Sequence, residues 1–361
     1  MNTDQGLDII VDRAREGKDL ADQEVTYLLG LRDEGSVSKL FEAARYVRDR
    51  NFGNKVFLYG FVYFSTHCKN NCSFCFYRRS NEESVRYRKN REEIVGLATA
   101  LEDSGIHMVD LTMGEDPLYH GPSGNQELVD LVQSVDDAVK VPIMVSPGVM
   151  PMEMFSSLKE AGTDWFACYQ ETHNRELFSR LRPNQDYDVR LSQKAWAEEG
   201  GMLTEEGIMI GVGETISDRV NSIRMMGKLG VQQVRAMTFV PQHNTPMQGM
   251  PSTLTIEELV TLAVMRLVHQ DKLIPASLDI EGVKGLRPRL DAGANVITSI
   301  IPPSNGLAGV AQHELDIENG ERSKGNIEDM LELIGYRAAD LTEYTGLVSE
   351  RKARQATEVT P

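Results

Sequence analysis

The chain has 361 residues, 41% of them apolar and 25% charged, proportions of an ordinary globular protein far from disordered or fibrous composition. Thirty-eight basic against 54 acidic residues leave a net charge of −16, a field that repels a phosphate backbone and argues against nucleic acid as a partner. No run approaches the ~20 apolar residues of a membrane span, and the opening MNTDQGLDIIVDRAREGKD lacks the basic start and apolar core of a signal peptide, so the expected location is the cytoplasm, away from membranes.

Residues 1–52 read as a helical lead-in: the stretches from Glu24 to Leu31 and from Val37 to Arg45 space apolar residues at i, i+3 and i+4. From residue 53 short apolar and β-branched runs alternate with longer helical ones. Strands are predicted at Val56–Phe64, His107–Thr112, Val141–Val145, Asp164–Tyr169, Gly207–Ile210, Gln233–Thr238, Ile274–Leu278 and Asn295–Thr298. Helices are predicted at Arg91–Asp103, Gln126–Val139, Met152–Glu160, Asp188–Glu198, Ile216–Lys228, Ile256–Val268 and Val283–Leu290. Eight such units predict an α/β fold, a (β/α)8 TIM barrel over residues 53–305. Residues 306–361 read as a C-terminal extension: a polar loop to Lys324, helices near Ile327–Ile334 and Asp340–Leu347, and a frayed tail, ERKARQATEVTP.

Three of the four cysteines fall in Cys68-Lys-Asn-Asn-Cys72-Ser-Phe-Cys75, directly after the first predicted strand, on the face where barrel active sites form. Clustering in a cytosolic chain points to a metal or redox site rather than a disulfide framework. Three thiolates can hold three irons of a 4Fe-4S cluster, and the fourth iron is then open to an exogenous ligand such as the amino and carboxylate groups of S-adenosylmethionine. A Cys3His zinc site, completed by His67 or a remote residue, is the alternative and would make the protein a non-enzymatic scaffold. Cys168, inside Trp165-Phe-Ala-Cys-Tyr169, reads as a small core residue. His67 and His173 read as flanking rather than catalytic, and Gly211-Val-Gly213 lacks the third glycine of a dinucleotide loop.

The CxxxCxxC loop resembles the radical S-adenosylmethionine superfamily. Met113-Gly114-Glu115-Asp116 is similar to its Gly-Gly-Glu element, with Met for the first glycine, and Gly207-Ile-Met-Ile-Gly211-Val-Gly-Glu214 to its GxIxGxxE element. The segments NKVFLYGFVYFSTHCKNNCSFCFY, HMVDLTMGEDP, YQETHNRELFSRLR, VRAMTFVPQ, IPASLDIEG and GANVITSIIPP narrow the resemblance to the methylornithine synthase family. That resemblance implies isomerisation of L-lysine to 3-methyl-D-ornithine, with a 4Fe-4S cluster on Cys68, Cys72 and Cys75. The implied contacts to S-adenosylmethionine are Phe74, through its backbone, Glu115, Ser146, Glu171 and Arg190.

Lysine carries one carboxylate and two ammonium groups, so burying it requires a cation and anions. Following the resemblance, Arg235 takes the carboxylate, Asp279 with Ser277 the α-ammonium and Asp110 the side-chain ammonium. No protein side chain is expected as a catalytic group, since the radical comes from the cofactor, and a flavodoxin- or ferredoxin-type electron donor is implied. A hydrogenase-cluster maturase-like enzyme is the nearest alternative, and the Arg235, Ser277, Asp279 set argues against it.

Overall fold

The computed structural model describes residues 3–279, 281–302 and 322–358. Part of the predicted C-terminal loop, residues 306–321, lies outside the described residues. Three helices come first: α1 (Thr3–Arg15), α2 (Asp22–Leu29) and α3 (Glu34–Phe52). The barrel follows as β1 (Lys55–Ser65), α4 (Arg91–Asp103), β2 (Met108–Met113), α5 (Pro122–Asp136), β3 (Ile143–Ser146), α6 (Met154–Glu160), β4 (Thr163–Ala167), α7 (Arg175–Leu181) and α8 (Tyr187–Glu199). It continues as β5 (Leu203–Ile210), α9 (Ile216–Lys228), β6 (Gln233–Thr238), α10 (Thr255–Val268), β7 (Pro275–Ser277), a 3-10 turn at Gly282–Gly285, α11 (Leu286–Asp291) and β8 (Val296–Ile300). The chain ends in α12 (Lys324–Leu333), β9 (Arg337–Ala338) and α13 (Leu341–Glu358).

All eight predicted barrel strands are present, paired in parallel in the order β6-β5-β4-β3-β2-β1-β8-β7. They read as near-continuous apolar runs because helices cover the outer face and side chains fill the inner one. The ring closes at the strands' N-terminal end, where the Val234 amide donates to Leu273 (3.0 Å) and the Leu273 amide to Gln232 (3.1 Å). Pro275 opens β7 without an N–H to offer β6, and among the described residues no ladder joins these two strands further up. The barrel is therefore tied at its base and freer at the rim that carries the site.

The predicted tail is overturned. From Glu350 the chain continues as the last turns of α13, which lies across the base of the barrel. Its Tyr344 is fully buried against Phe57 (5.4 Å between ring centres), with its hydroxyl on that of Tyr59 at 3.0 Å. Arg351 donates to the Gln232 carbonyl at 3.2 Å, Gln355 to the carbonyls of Glu198 and Met202, and Lys352 pairs with Asp164. The polar residues that read as an unpartnered tail satisfy backbone and carboxylate groups at the strand entrances. His107 joins base to plug: its Nδ1 accepts from Leu58 (2.7 Å) and its Nε2 donates to the Ala339 carbonyl (2.7 Å), while burial pushes its pKa down to about 4.

At the other end of the chain, Leu7, Leu28, Leu40 and Val47 from α1–α3 share one buried cluster with Leu262, Met265 and Leu290 of the barrel. Among the described residues no helix is long and apolar enough to cross a membrane.

Candidate active site

The cysteine loop leaves β1 at Thr66 and returns beside it, the Thr66 amide donating to Tyr87 (3.1 Å). Arg86 gathers the carbonyls of Thr66, Tyr77 and Arg78, and Arg88 closes the neck with a two-pronged bond to Asp116 (2.6 and 2.9 Å). Between Cys72 and Cys75 the loop is pinned to the end of α7: the Ser73 amide donates to Leu181 (2.8 Å) and its hydroxyl to Arg180 (2.6 Å).

Cys72 is buried, and Cys68 and Cys75 are half-buried. Burial, then the neighbouring Cys72 and Cys68, push the Cys75 thiol up to about 12, and burial with Cys72 also raises Cys68. Thiols that suppress one another's ionisation become thiolates together only when a cationic centre binds them. Among the described residues no three His, Cys, Asp or Glu side chains converge on a single-ion position. Three thiols on one short loop that suppress one another's ionisation are the donor set that a 4Fe-4S cluster takes, one thiolate to each of three irons, so the residues present fit the cluster.

Two glycines shape what lies beside the loop. A Cβ at Gly114 would stand 2.4 Å from the His67 carbonyl oxygen, so only glycine lets β2 end against the cysteine loop. At Gly148, which has φ +82°, a Cβ would stand 2.1 Å from Glu115 Cγ. Glu115 is held in that gap by Arg190 (3.2 Å) and Lys69 (3.3 Å). Burial opposes its ionisation, but the two cations prevail and keep its carboxyl below the ordinary range. Arg190 also donates to the Tyr169 carbonyl at 2.7 Å.

Glu171 adopts φ +67°, a strained conformation for a non-glycine residue, stabilised by bridging to β5: its amide donates to Gly207 (3.1 Å) and its carbonyl accepts from Met209 (2.9 Å). Its carboxylate pairs with Arg182 through Oε1, while Oε2 is buried without a partner. An orphaned carboxylate oxygen of this kind is an acceptor for a ligand's hydroxyl or ammonium group. Phe74 makes no backbone hydrogen bond among the described residues, so its amide and carbonyl are also available.

A cavity of about 240 Å³ opens inside the rim. Phe74, Cys75, Asp110, Ser146, Glu171, Arg235, Ser277 and Asp279 all line it, whereas Cys68, Cys72, Glu115 and Arg190 stand outside its lining. Strand alternation places Glu205 inward and Glu206 outward on β5. Glu205 accepts from Arg235 Nε (2.8 Å) and the Tyr169 hydroxyl (2.8 Å), whereas Glu206 pairs with Lys194 of α8 (2.6 Å). Arg235 is thus held from one side, and its two terminal nitrogens have no partner among the described residues. Asp279 accepts from Ser277 (2.8 Å), Ser299 (2.8 Å) and Arg322 (3.0 Å), not from Arg235. Asp110 takes the hydroxyls of Thr112 (2.8 Å) and Ser146 (3.0 Å) on one oxygen, leaving the other open. Burial, only partly offset by these bonds, pushes its pKa up to about 7.

Residues 62–226 match the family model of the radical SAM superfamily. The curated 3-methylornithine synthase of Methanosarcina barkeri (strain Fusaro) is 42% identical over 342 residues, 95% of this chain and 97% of that protein. The chain belongs to the 3-methylornithine synthase family of radical SAM enzymes. The crystal structure of a methylornithine synthase (PylB) superposes with a TM-score of 0.89 at 41% identity, covering 94% of this chain and 99% of that one. The FeFe-hydrogenase maturase subunit HydE of Thermotoga maritima is similar at a greater distance, 31% identical over 76% of this chain and 79% of its own. Enzymes of the radical SAM family use a 4Fe-4S cluster and S-adenosylmethionine, and these are the cofactors of this one.

Sequence reasoning missed several residues of this radical SAM site. Arg182 and Gln185 reach Cys72; Glu205 and Tyr169 orient Arg235; Arg322 arrives from beyond the barrel to hold Asp279. Glu205-Glu206 left a readable signal, since two adjacent carboxylates in a doubly buried strand must each find a partner. Arg322 left none, because nothing local marks a residue that reaches back across the rim.

Proposed function

We propose that this enzyme isomerises L-lysine to (3R)-3-methyl-D-ornithine in the 240 Å³ cavity, with Cys68, Cys72 and Cys75 as the cluster ligands. One observation carries the substrate reading: the charge balance of the cavity wall. Arg235 is paired with Glu205, Asp279 with Arg322, Glu258 with Arg289 and Glu171 with Arg182. Among the described residues Asp110 is the lining carboxylate with no ion-pair partner, so its open oxygen is the acceptor left for a ligand's ammonium group. Lysine fits these two openings: one ammonium group can meet the open oxygen of Asp110 while its carboxylate meets the free donors of Arg235.

The terminal nitrogens of Arg235 offer the lysine carboxylate two parallel donors, and Glu205 and the Tyr169 ring hold the guanidinium plane. The α-ammonium joins Asp279 and Ser277, and the side-chain ammonium reaches the open oxygen of Asp110. Glu115, Glu171, Ser146, Arg190 and the Phe74 backbone are proposed to hold S-adenosylmethionine. When bound, cluster and S-adenosylmethionine would supply a 5′-deoxyadenosyl radical that takes a hydrogen atom from an unactivated carbon of lysine, 5′-deoxyadenosine would return one to the product radical, and the electron would come from a flavodoxin- or ferredoxin-type donor. The protein's task is retention. With the lysine Cα–Cβ bond broken, Arg235 and Asp279 keep the amino-acid fragment and Asp110 keeps the amine fragment, so that the two rejoin at a different carbon without escaping to water.

The test is anaerobic reconstitution with iron and sulfide, then reductant, S-adenosylmethionine and isotopically labelled lysine. The product is resolved by chromatography or NMR, since an isomer has unchanged mass. Recovery of unaltered lysine from protein with an intact, reducible cluster would refute the substrate assignment.

A further inference from the structure

Among the described residues Cys72 differs from the other two cysteines of the loop in having side-chain donors on its sulfur. Arg182 Nη1 lies 3.4 Å and Gln185 Nε2 3.1 Å from Cys72 Sγ. Both donors come from the turn between α7 and α8, which the loop also grips through Ser73 on Leu181 and Arg180. Asn174 caps the first of these helices by accepting from Glu176 (3.0 Å) and Leu177 (3.1 Å), and Asp186 caps the second by accepting from Asp188 and Val189. The turn is therefore fixed at both ends. Arg182 is buried, its guanidinium 5.4 Å from the Phe74 ring centre and its Nη2 on Glu171. Gln185 Oε1 accepts from Arg182 (3.5 Å) and Arg190 (3.4 Å), which orients its amide so that the NH2 group faces the sulfur.

We infer that Arg182 and Gln185 set the reduction potential of the cluster by donating hydrogen bonds to the Cys72 sulfur. The inference rests on the proposed ligation by the three cysteines. Donors to a coordinated thiolate draw negative charge off it and favour the reduced cluster, the more negative of the two states. A buried guanidinium strengthens this, because its charge is poorly screened where water is excluded. Arg182 also touches Glu171, so one guanidinium links the cluster ligand to the carboxylate proposed to bind S-adenosylmethionine. Occupation of that site by ligand would therefore alter the charge felt at Cys72.

The test is a redox titration followed by electron paramagnetic resonance on the reconstituted wild-type, Arg182→Lys and Gln185→Leu enzymes, with and without S-adenosylmethionine. Gln185→Leu removes a neutral donor at a half-buried position and guards against a folding defect in Arg182→Lys. Both variants are expected to bind the same iron and sulfide as wild type and to titrate at lower potential. At a poise that half-reduces the wild-type cluster, Arg182→Lys is expected to show a tenfold lower reduced-to-oxidised ratio, which is 59 mV for one electron. Gln185→Leu should shift the same way by less. Equal midpoints at equal cluster content, or a shift to higher potential, would overturn the inference. A wild-type protein without a reducible cluster would instead defeat the ligation reading on which it rests.

Discussion

With the side-chain ammonium of lysine on Asp110, as proposed, lysine binding is expected to depend on pH in a calculable way. Its carboxyl, lifted by burial to about 7, is roughly a thousandfold harder to ionise than an exposed aspartate, a cost of about 4 kcal/mol at 1.36 kcal/mol per decade. The sign follows from where the proton sits: the folded protein holds this proton more tightly than the unfolded chain, so the group favours folding at low pH. That contribution is lost as pH rises through 7. A lysine ammonium placed on the open oxygen of Asp110 reverses the trend by stabilising the ionised form. Below pH 7 binding must therefore expel one proton, and the dissociation constant should rise about tenfold for each pH unit of acidification, levelling off above 7. Calorimetric titration of the loaded, unreduced enzyme with lysine between pH 5.5 and 8.5 reads this slope. Repeating it in buffers of different ionisation heat counts the proton directly. Asp110→Asn should bind lysine more weakly at pH 8 and show no slope. A wild-type profile flat from pH 6 to 8, with no proton released, would refute the assignment of Asp110 to the ammonium.

Arg235→Lys keeps the charge but not the fork, and should weaken lysine binding roughly ten- to hundredfold, in line with the 1.5–3 kcal/mol typical of charged hydrogen bonds; calorimetry checks it. Glu115→Gln should raise the dissociation constant for S-adenosylmethionine while iron and sulfide content stay at wild-type levels, since Glu115 meets Arg190 and Lys69 rather than a cysteine sulfur. Tyr344→Ala should cost about 3–5 kcal/mol in denaturant unfolding by emptying the plug at the barrel base, with lysine affinity unchanged because the cavity is at the opposite rim.

Most barrel strands were legible as short apolar runs bounded by turns, their ends shifted by a residue or two, but β5 begins four residues before the predicted Gly207, because Glu205 and Glu206 interrupt its apolar pattern. Helix α7 escaped notice because NRELFSRLR is too short and too charged for a clear periodic signal, although Asn174 caps it well. The tail was misread for the opposite reason. Arg351, Lys352 and Gln355 lack an apolar stripe, yet they bind carbonyls and a carboxylate at the strand entrances, partners that exist only once the barrel has closed.

The same division runs through the site. Sequence alone located the metal site, since three thiols in eight residues are a local arrangement, and its motif resemblance named the cofactor class. It also supplied the barrel, because βα alternation is a repeated local pattern. Tertiary structure decided how the charges pair. Arg235 faces Glu205 rather than Asp279, Asp279 is claimed by Arg322 from beyond the barrel, and Asp110 is left as the unpaired anion of the cavity wall. Which charges neutralise each other depends on distances of a few ångströms between residues tens or hundreds of positions apart, and no local pattern in a sequence encodes them.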